Sequence, residues 1–252
     1  MDIGAPMLER RRMIEANAAE IPLVGDALSV GLPPTVAAPE QLDAAKVRLI
    51  IAAETLFAED SIEGVSLREI AIAAENGNNN AVQYHFGGKE GLMQAIFAYR
   101  VWQMDEKRRT GWEALLASGC TIDFRALLEL LCLPLLDLKN DAGRHSYASF
   151  ISKYMLYNRP TGLPHAMDSR TESTAMLRRL NSEIEARLAH LPSTLVISRI
   201  ALSYLMFVNM LVRSDNDGVS VRGGIAFEQR IEDCLTMAAA ALSAPSPSAV
   251  VA

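Results

Sequence analysis

Ser66-Leu67-Arg68-Glu69-Ile70-Ala71, followed after a short break by Asn79-Asn80-Ala81-Val82-Gln83-Tyr84-His85-Phe86-Gly87-Gly88-Lys89-Glu90-Gly91-Leu92, decides how this chain reads. Ser66 with Glu69 three residues on is a capping box. The hydroxyl takes a free N–H of the first turn and the carboxylate reaches back to the backbone of the cap. A short helix is expected through Ile70, Ala71 and Ala74. Glu75-Asn76-Gly77 breaks it, and a second short helix is expected over 78–84. Gly87 and Gly88 interrupt the chain again before a long helix over 89–109. On the other side, Val47, Ile50, Ile51, Ala53, Leu56 and Phe57 recur at helical spacing and predict a first amphipathic helix. Two short helices joined by a tight Gly-containing turn, with a helix before and a helix after, make a helix-turn-helix module.

Beyond this module the chain is longer and more apolar. Polar interruptions at 139–143, 158–164, 192–193 and 215–224 cut it into about five helices. The last two, over 193–213 and 225–242, are the most apolar. Ile197, Ile200, Ala201, Tyr204, Leu205, Val208 and Leu211 cover more of one helix than a single core-facing stripe. Such a helix needs burial on two sides, and one side can be a second subunit. Ile197, Tyr204, Leu205 and Val208 are therefore the expected dimer interface. Ahead of the module, 1–39 reads as a loosely attached arm ending in Gly31, Pro33, Pro34 and Pro39, with room for a short helix over 7–21. The chain thus divides into an extension (1–39), a helix-turn-helix domain with its linking helix (40–109), a helical domain (110–244) and a frayed tail (245–252). The predicted class is all-α, with about nine helices and no sheet.

Bulk properties agree. The chain has 252 residues, 50% of them hydrophobic and 21% charged, which is globular composition. Aromatics are only 6%, while Ala and Leu abound, which favours helix over β-sandwich. A formal net charge of −6 argues against a protein that coats nucleic acid non-specifically. It leaves room for a site-specific binder, in which only the docking face must be neutral or positive. Cys120, Cys132 and Cys234 are far apart and fit no zinc spacing, so reduced core thiols and a cytoplasmic location are expected. No apolar run is read as reaching the length of a membrane span, and Arg10-Arg11-Arg12 is followed by a stretch too polar for a signal peptide. Those arginines read as a solvated cluster rather than a minor-groove arm.

The segment 79–92 closely resembles the signature of the TetR family of transcription regulators, in which the recognition helix ends in an aromatic-His-Phe element followed by a small turn, a Lys and a Leu. Residues 66–71 resemble that family's second helix and 47–57 its first. The specific resemblance spans about residues 44–96, and its Asn-Asn-x-Ala-Val-Gln-Tyr-His-Phe-Gly wording is similar to one subgroup. There are two departures. Glu75 stands where the family's turn has Gly, and one extra residue lies between Ala74 and Phe86. The resemblance implies an all-helical homodimer on a palindromic operator, with a ligand pocket above the DNA-binding domain and a dimer interface from the last two helices. It also implies a repressor that a small ligand releases.

Residue chemistry fits that implication. Asn and Gln pair with the N6/N7 edge of adenine, and Ala touches a thymine methyl. Asn79, Asn80, Ala81 and Gln83 are the expected base-reading set. Tyr84, His85, Lys89, Arg68 and the capped N-terminus at Ser66 suit phosphates. Taken singly, three asparagines can be a flexible turn, and His85 a core histidine; in this order, between two short helices, the DNA reading is the stronger. For an apolar small-molecule effector, Met104, His145, Tyr147, Tyr154 and Met176 are the candidate pocket residues. No metal box and no Gly-rich phosphate loop is present, so neither metal nor cofactor is expected. The histidines at 85, 145, 165 and 190 form no nucleophile–base–acid pattern, which argues against an enzyme. A small helical enzyme and a helical adaptor that does not bind DNA remain the rival readings.

Overall fold

The computed structural model describes residues 42–165, 168, 172–216 and 225–246. The arm with its arginine cluster, and 247–252 of the tail, lie outside the described residues. Among those described there are nine α-helices and no strand, as the hydrophobic spacing predicts.

Helix α1 spans Ala44–Glu59 and begins at Asp43, whose carboxylate accepts the Lys46 N–H at 2.8 Å. It buries Leu49, Ile50, Ala53 and Phe57. Helix α2, Leu67–Ala73, opens on the expected capping box. The Ser66 hydroxyl accepts the Glu69 N–H at 3.2 Å, and the Glu69 carboxylate accepts the Ser66 N–H at 2.7 Å. Helix α3 is Ala81–Phe86 and stops at Gly87, whose φ of 72° is left-handed. Helix α4, Lys89–Ala117, then runs for 29 residues. Gly91 in its first turn has no substitute, because a Cβ there would sit 1.9 Å from the Phe86 carbonyl oxygen.

Helix α4 is longer than the sequence suggested. It passes unbroken through the expected domain boundary at 109–110 and keeps a buried stripe to its end, in Phe97, Val101, Met104, Arg108 and Trp112. The remaining helices are α5 (Phe124–Cys132), α6 (Ser146–Lys153), α7 (Ala175–Arg187), α8 (Ser193–Asn216) and α9 (Phe227–Ser243). A π turn, Tyr154–Asn158, extends α6, and a 3-10 turn, Arg159–Thr161, follows it. Helices α8 and α9 pack on each other, and α6 packs on both α1 and α8.

The helix-turn-helix head and the helical body share one hydrophobic core. Leu49, Phe57, Ile70, Val82 and Ile96 in the head belong to the same buried cluster as Leu131, Phe150, Leu180, Phe207 and Leu235 in the body. Phe57 of α1 stacks on Phe150 of α6 at 5.9 Å, and Phe97 of α4 lies 5.2 Å from the same ring. A buried ion pair crosses the same junction. Arg100 of α4 donates to Glu54 of α1 at 2.5 Å and 2.8 Å, and the Ser146 hydroxyl of α6 donates to Glu54 at 2.6 Å. Lys153 of α6 adds a cap on the end of α1, donating to the carbonyls of Phe57, Ala58 and Asp60.

Two composition-based expectations need correction. Cys132 and Cys234 are buried, but Cys120 is exposed beyond the end of α4 and is not a core thiol. The expectation that no run reaches membrane-span length also fails, because α8 is long and apolar enough to cross a bilayer by length and composition. The helix reaches that length only with Arg199, Ser203 and Asn209 inside it, which a count of uninterrupted apolar residues excludes.

Candidate functional site

The turn between α2 and α3 departs most from expectation. Ala74 closes α2 and Glu75 adopts a φ of 51°, the left-handed conformation that glycine usually supplies. The Asn76 N–H returns to the Ala71 carbonyl at 2.9 Å. Two successive Asx turns then carry the chain onward. Asn76 accepts the Asn78 N–H at 3.0 Å, and Asn78 accepts the Asn80 N–H at 2.9 Å. These bonds satisfy the backbone outside the helix, so α3 starts at Ala81 and not at Asn78. The extra residue is absorbed in the turn.

A helix only six residues long has one outward face. Here it is Asn80, Gln83 and Tyr84, at i, i+3 and i+4. Asn79 is exposed just ahead of it, and Tyr84 is 80% exposed. Gln83 lies folded along the helix end, its amide donating to the Gly87 carbonyl at 3.2 Å. Ala81 points the other way and is 1% exposed. The expected contact of Ala81 with a base is therefore wrong: the later helix start turns this residue into the head core beside Val82.

The expected phosphate ligands also separate. Arg68 is exposed on α2 and forms no ion pair among the described residues. Ser66 is exposed at the capped end of the same helix. His85 is half-buried, edge-on to Tyr84 at 4.9 Å, and close enough to Asp43 to help lower that carboxyl's pKa, an effect led by the Lys46 backbone. Lys89 has a different task. Its ammonium donates to the carbonyls of Ile62 and Glu63 at 2.8 Å and 2.9 Å. It ties α4 to the turn before α2, because those carbonyls have no helix to bond to. Arg48, exposed on α1 without an ion pair among the described residues, is a candidate cation that the sequence reading overlooked. The apolar spacing of α1 drew attention to its inner face only.

The expected pocket residues are all interior but do not form one group. Met104 and Tyr147 gather at Arg108, whose guanidinium lies 3.6 Å from the Met104 sulfur and interacts electrostatically with Tyr147, Tyr204, Asp105 and Cys132. Tyr154 lies alongside, 4.6 Å from the Phe97 ring, with its hydroxyl donating to the Leu163 carbonyl at 2.7 Å. Burial pushes the Tyr154 hydroxyl up to about 12. His165 packs 4.5 Å from Phe97, and burial pulls its pKa down to about 4. His145 stands apart, its ring paired with Asp215 at the end of α8 at 2.8 Å. Met176 is buried in the first turn of α7. Arg108 was missed because the predicted helix ended at Arg109, where an arginine reads as solvated. Only the continued stripe to Trp112 reveals it as an interior residue.

On α8, Ile197 is 45% exposed and Leu202 59% exposed, while Tyr204 and Leu205 are half-buried. Val208 has no exposed surface. It was expected at the dimer interface, but it is fully buried within the protomer and has no surface to offer a partner. Among the described residues, no three His, Cys, Asp or Glu side chains group to hold a metal.

No protein-family model matches the chain. No curated protein matches it either. Among solved structures it is similar to a "putative transcriptional regulator from Rhodococcus sp. RHA1", at 22% identity over 80% of this chain and 96% of the other, with a TM-score of 0.41. The functional reading therefore rests on the chain's own residues.

Proposed function

We propose that this chain is a sequence-specific DNA-binding transcription regulator of the TetR type, acting as a homodimer that a small molecule releases from a palindromic operator. The observation that carries the reading is the outward face of α3. Asn79, Asn80, Gln83 and Tyr84 stand exposed on a short helix whose other face anchors it to the head core. Amides at this spacing suit adenine edges in a major groove. The flanking cations Arg48 and Arg68, with His85 and the capped start of α2, suit phosphates on either side. Four such contacts per subunit are enough to position a docking face on a chain that is acidic overall.

The dimer is proposed on the exposed side of α8. Only 28% of its most apolar 18-residue stretch is buried within the protomer, and Ile197 and Leu202 stand exposed. Leu202 and Leu205, with Ile197 at the near end, replace the expected set that included Val208. A second copy gives two recognition helices related by a two-fold axis, hence a palindromic site.

Fluorescence anisotropy with the DNA flanking the protein's own coding gene tests the reading. Asn80→Ala and Gln83→Ala should each weaken cognate binding by about 1–3 kcal/mol and relax preference at one position per half-site. Arg68→Ala should weaken all sequences alike and reduce the salt slope by about one charge per subunit. If an Asn80/Gln83 double variant bound with unaltered affinity and preference, the α3 face would not be the reader.

A further inference from the structure

Two arginines lie two turns apart on the buried side of α4 and are treated very differently. Arg100 is held in full. Besides its two bonds to Glu54, it donates to the Gln103 side chain at 2.7 Å. Arg108 is 1% exposed, more buried still. Its Nη2 donates to the Leu131 carbonyl at 3.2 Å and otherwise faces the Met104 sulfur. Its Nε and Nη1 are buried and have no hydrogen-bond partner among the described residues. Asp105, the carboxylate that acts on it, forms no ion pair with it, and one Asp105 oxygen is itself buried without a partner.

A buried cation whose nearby carboxylate, Asp105, forms no ion pair with it is expensive to keep, and a well-packed apolar side chain of the same length would be more stable there. A purely structural arginine would have been given a carboxylate, as Arg100 was. The surroundings are otherwise apolar or neutral: Met104, Cys132, Tyr147 and Tyr204. His165, which also interacts with Arg108, is held neutral by burial and supplies no second charge. A guanidinium with two unbonded N–H groups, set among apolar and aromatic side chains and not ion-paired to Asp105, suits a carboxylate on an apolar body.

We propose that Arg108 is the anion-recognising group of a ligand site in the interior of the body, and that the effector is a monocarboxylate with an apolar body. Its carboxylate accepts from Nε and Nη1 of Arg108, and its body rests against Met104, Tyr147 and Tyr204. This refines the ligand class within the regulatory reading above, on which it rests. A route to the head is built in. Arg100, two turns up α4 at about 12 Å, holds Glu54 of α1. On α6, Ser146 holds the same Glu54 while its neighbour Tyr147 interacts electrostatically with Arg108. A carboxylate on Arg108 therefore acts on the two helices that fix α1.

The test is calorimetric titration and thermal shift of the full chain at pH 7.5 in a chloride-poor buffer. The probes are octanoate, decanoate and 3-phenylpropanoate, each against its primary amide. The carboxylates should bind about ten- to a hundredfold more tightly than the amides, the worth of hydrogen bonds to a buried charge. Arg108→Met should abolish that preference while its unfolding temperature stays equal or rises, since the unpaired charge is gone. Arg108→Lys, which keeps charge and stem, should retain part of the preference. The proposal is overturned if no carboxylate outbinds its amide, if the preference survives in Arg108→Met, or if chloride alone gives the same stabilisation. Operator titration is a separate arm. Carboxylates that bind through Arg108 to a protein that binds no DNA would uphold the site and refute the regulatory reading.

Discussion

Single residues here carry loads that their type alone does not reveal. Glu75 sits at a left-handed φ of 51° in the recognition turn, a position that disfavours any residue with a Cβ by about 1–2 kcal/mol. Glu75→Gly should raise stability by up to about 1 kcal/mol, less than the full strain because glycine loses more chain entropy on folding. Chemical denaturation of the pair measures it, and a destabilised variant would show that the Glu75 side chain has a task of its own. His165 predicts a pH dependence. Burial lowers its pKa from 6.5 to about 4 in the folded protein. Between those values the unfolded chain takes up a proton that the folded chain excludes. Stability present above pH 6.5 should therefore decline as the pH falls toward 4. His165→Gln should flatten the denaturation midpoint across that window, and an identical decline in the variant would assign it to other groups.

At the scale of elements, α4 matters most. It joins the head at Gly88, runs beneath the body, and carries one buried arginine that is fully paired and one that is not. The pair of Arg100 with Glu54 has no exposed carboxylate surface, so removing one partner strands the other in an apolar junction. Glu54→Gln should cost about 3–5 kcal/mol, read as a fall in the urea midpoint. A double change, Glu54→Gln with Arg100→Met, should recover much of that loss. If the single variant lost under about 1 kcal/mol, the pair would be behaving like a solvated one. The short helices make the opposite point. Neither α2 nor α3 has the length to persist alone. Each is fixed by a capping box, Asx turns or the Lys89 bonds, and by one buried face.

For the whole molecule, a single core runs from head to body, so motion of one against the other must repack the α1–α4–α6 junction rather than bend a free hinge. Among the described residues, α8 leaves Ile197 and Leu202 exposed. Leu202→Glu and Leu205→Glu, on that outward side, should shift sedimentation toward monomer at micromolar concentration while leaving the helical circular dichroism intact. Val208→Glu should instead unfold the protomer, because Val208 has no exposed surface. A dimer unaffected by both outward changes would place the interface elsewhere.

Much of this was legible in the sequence because it is set by neighbours along the chain. The capping box at Ser66 and Glu69, the helix break at Gly87-Gly88 and the five apolar helices of the body each depend on residues within a turn or two of one another. They emerged as read, and the all-α class with them. The start of α3 was not legible, since it depended on Asx bonds at Asn76 and Asn78 that compete with the helix for the same N–H groups. The roles of Ala81, Lys89, Arg108 and Val208 were decided only in three dimensions. Each sits within a few residues of a boundary or a face that neighbouring spacing leaves open. Which side becomes interior depends on segments tens of residues away: the turn carbonyls of Ile62 and Glu63 for Lys89, and α5 for Arg108. Burial is a property of what packs on a residue, and the chain's own periodicity supplies only half of that.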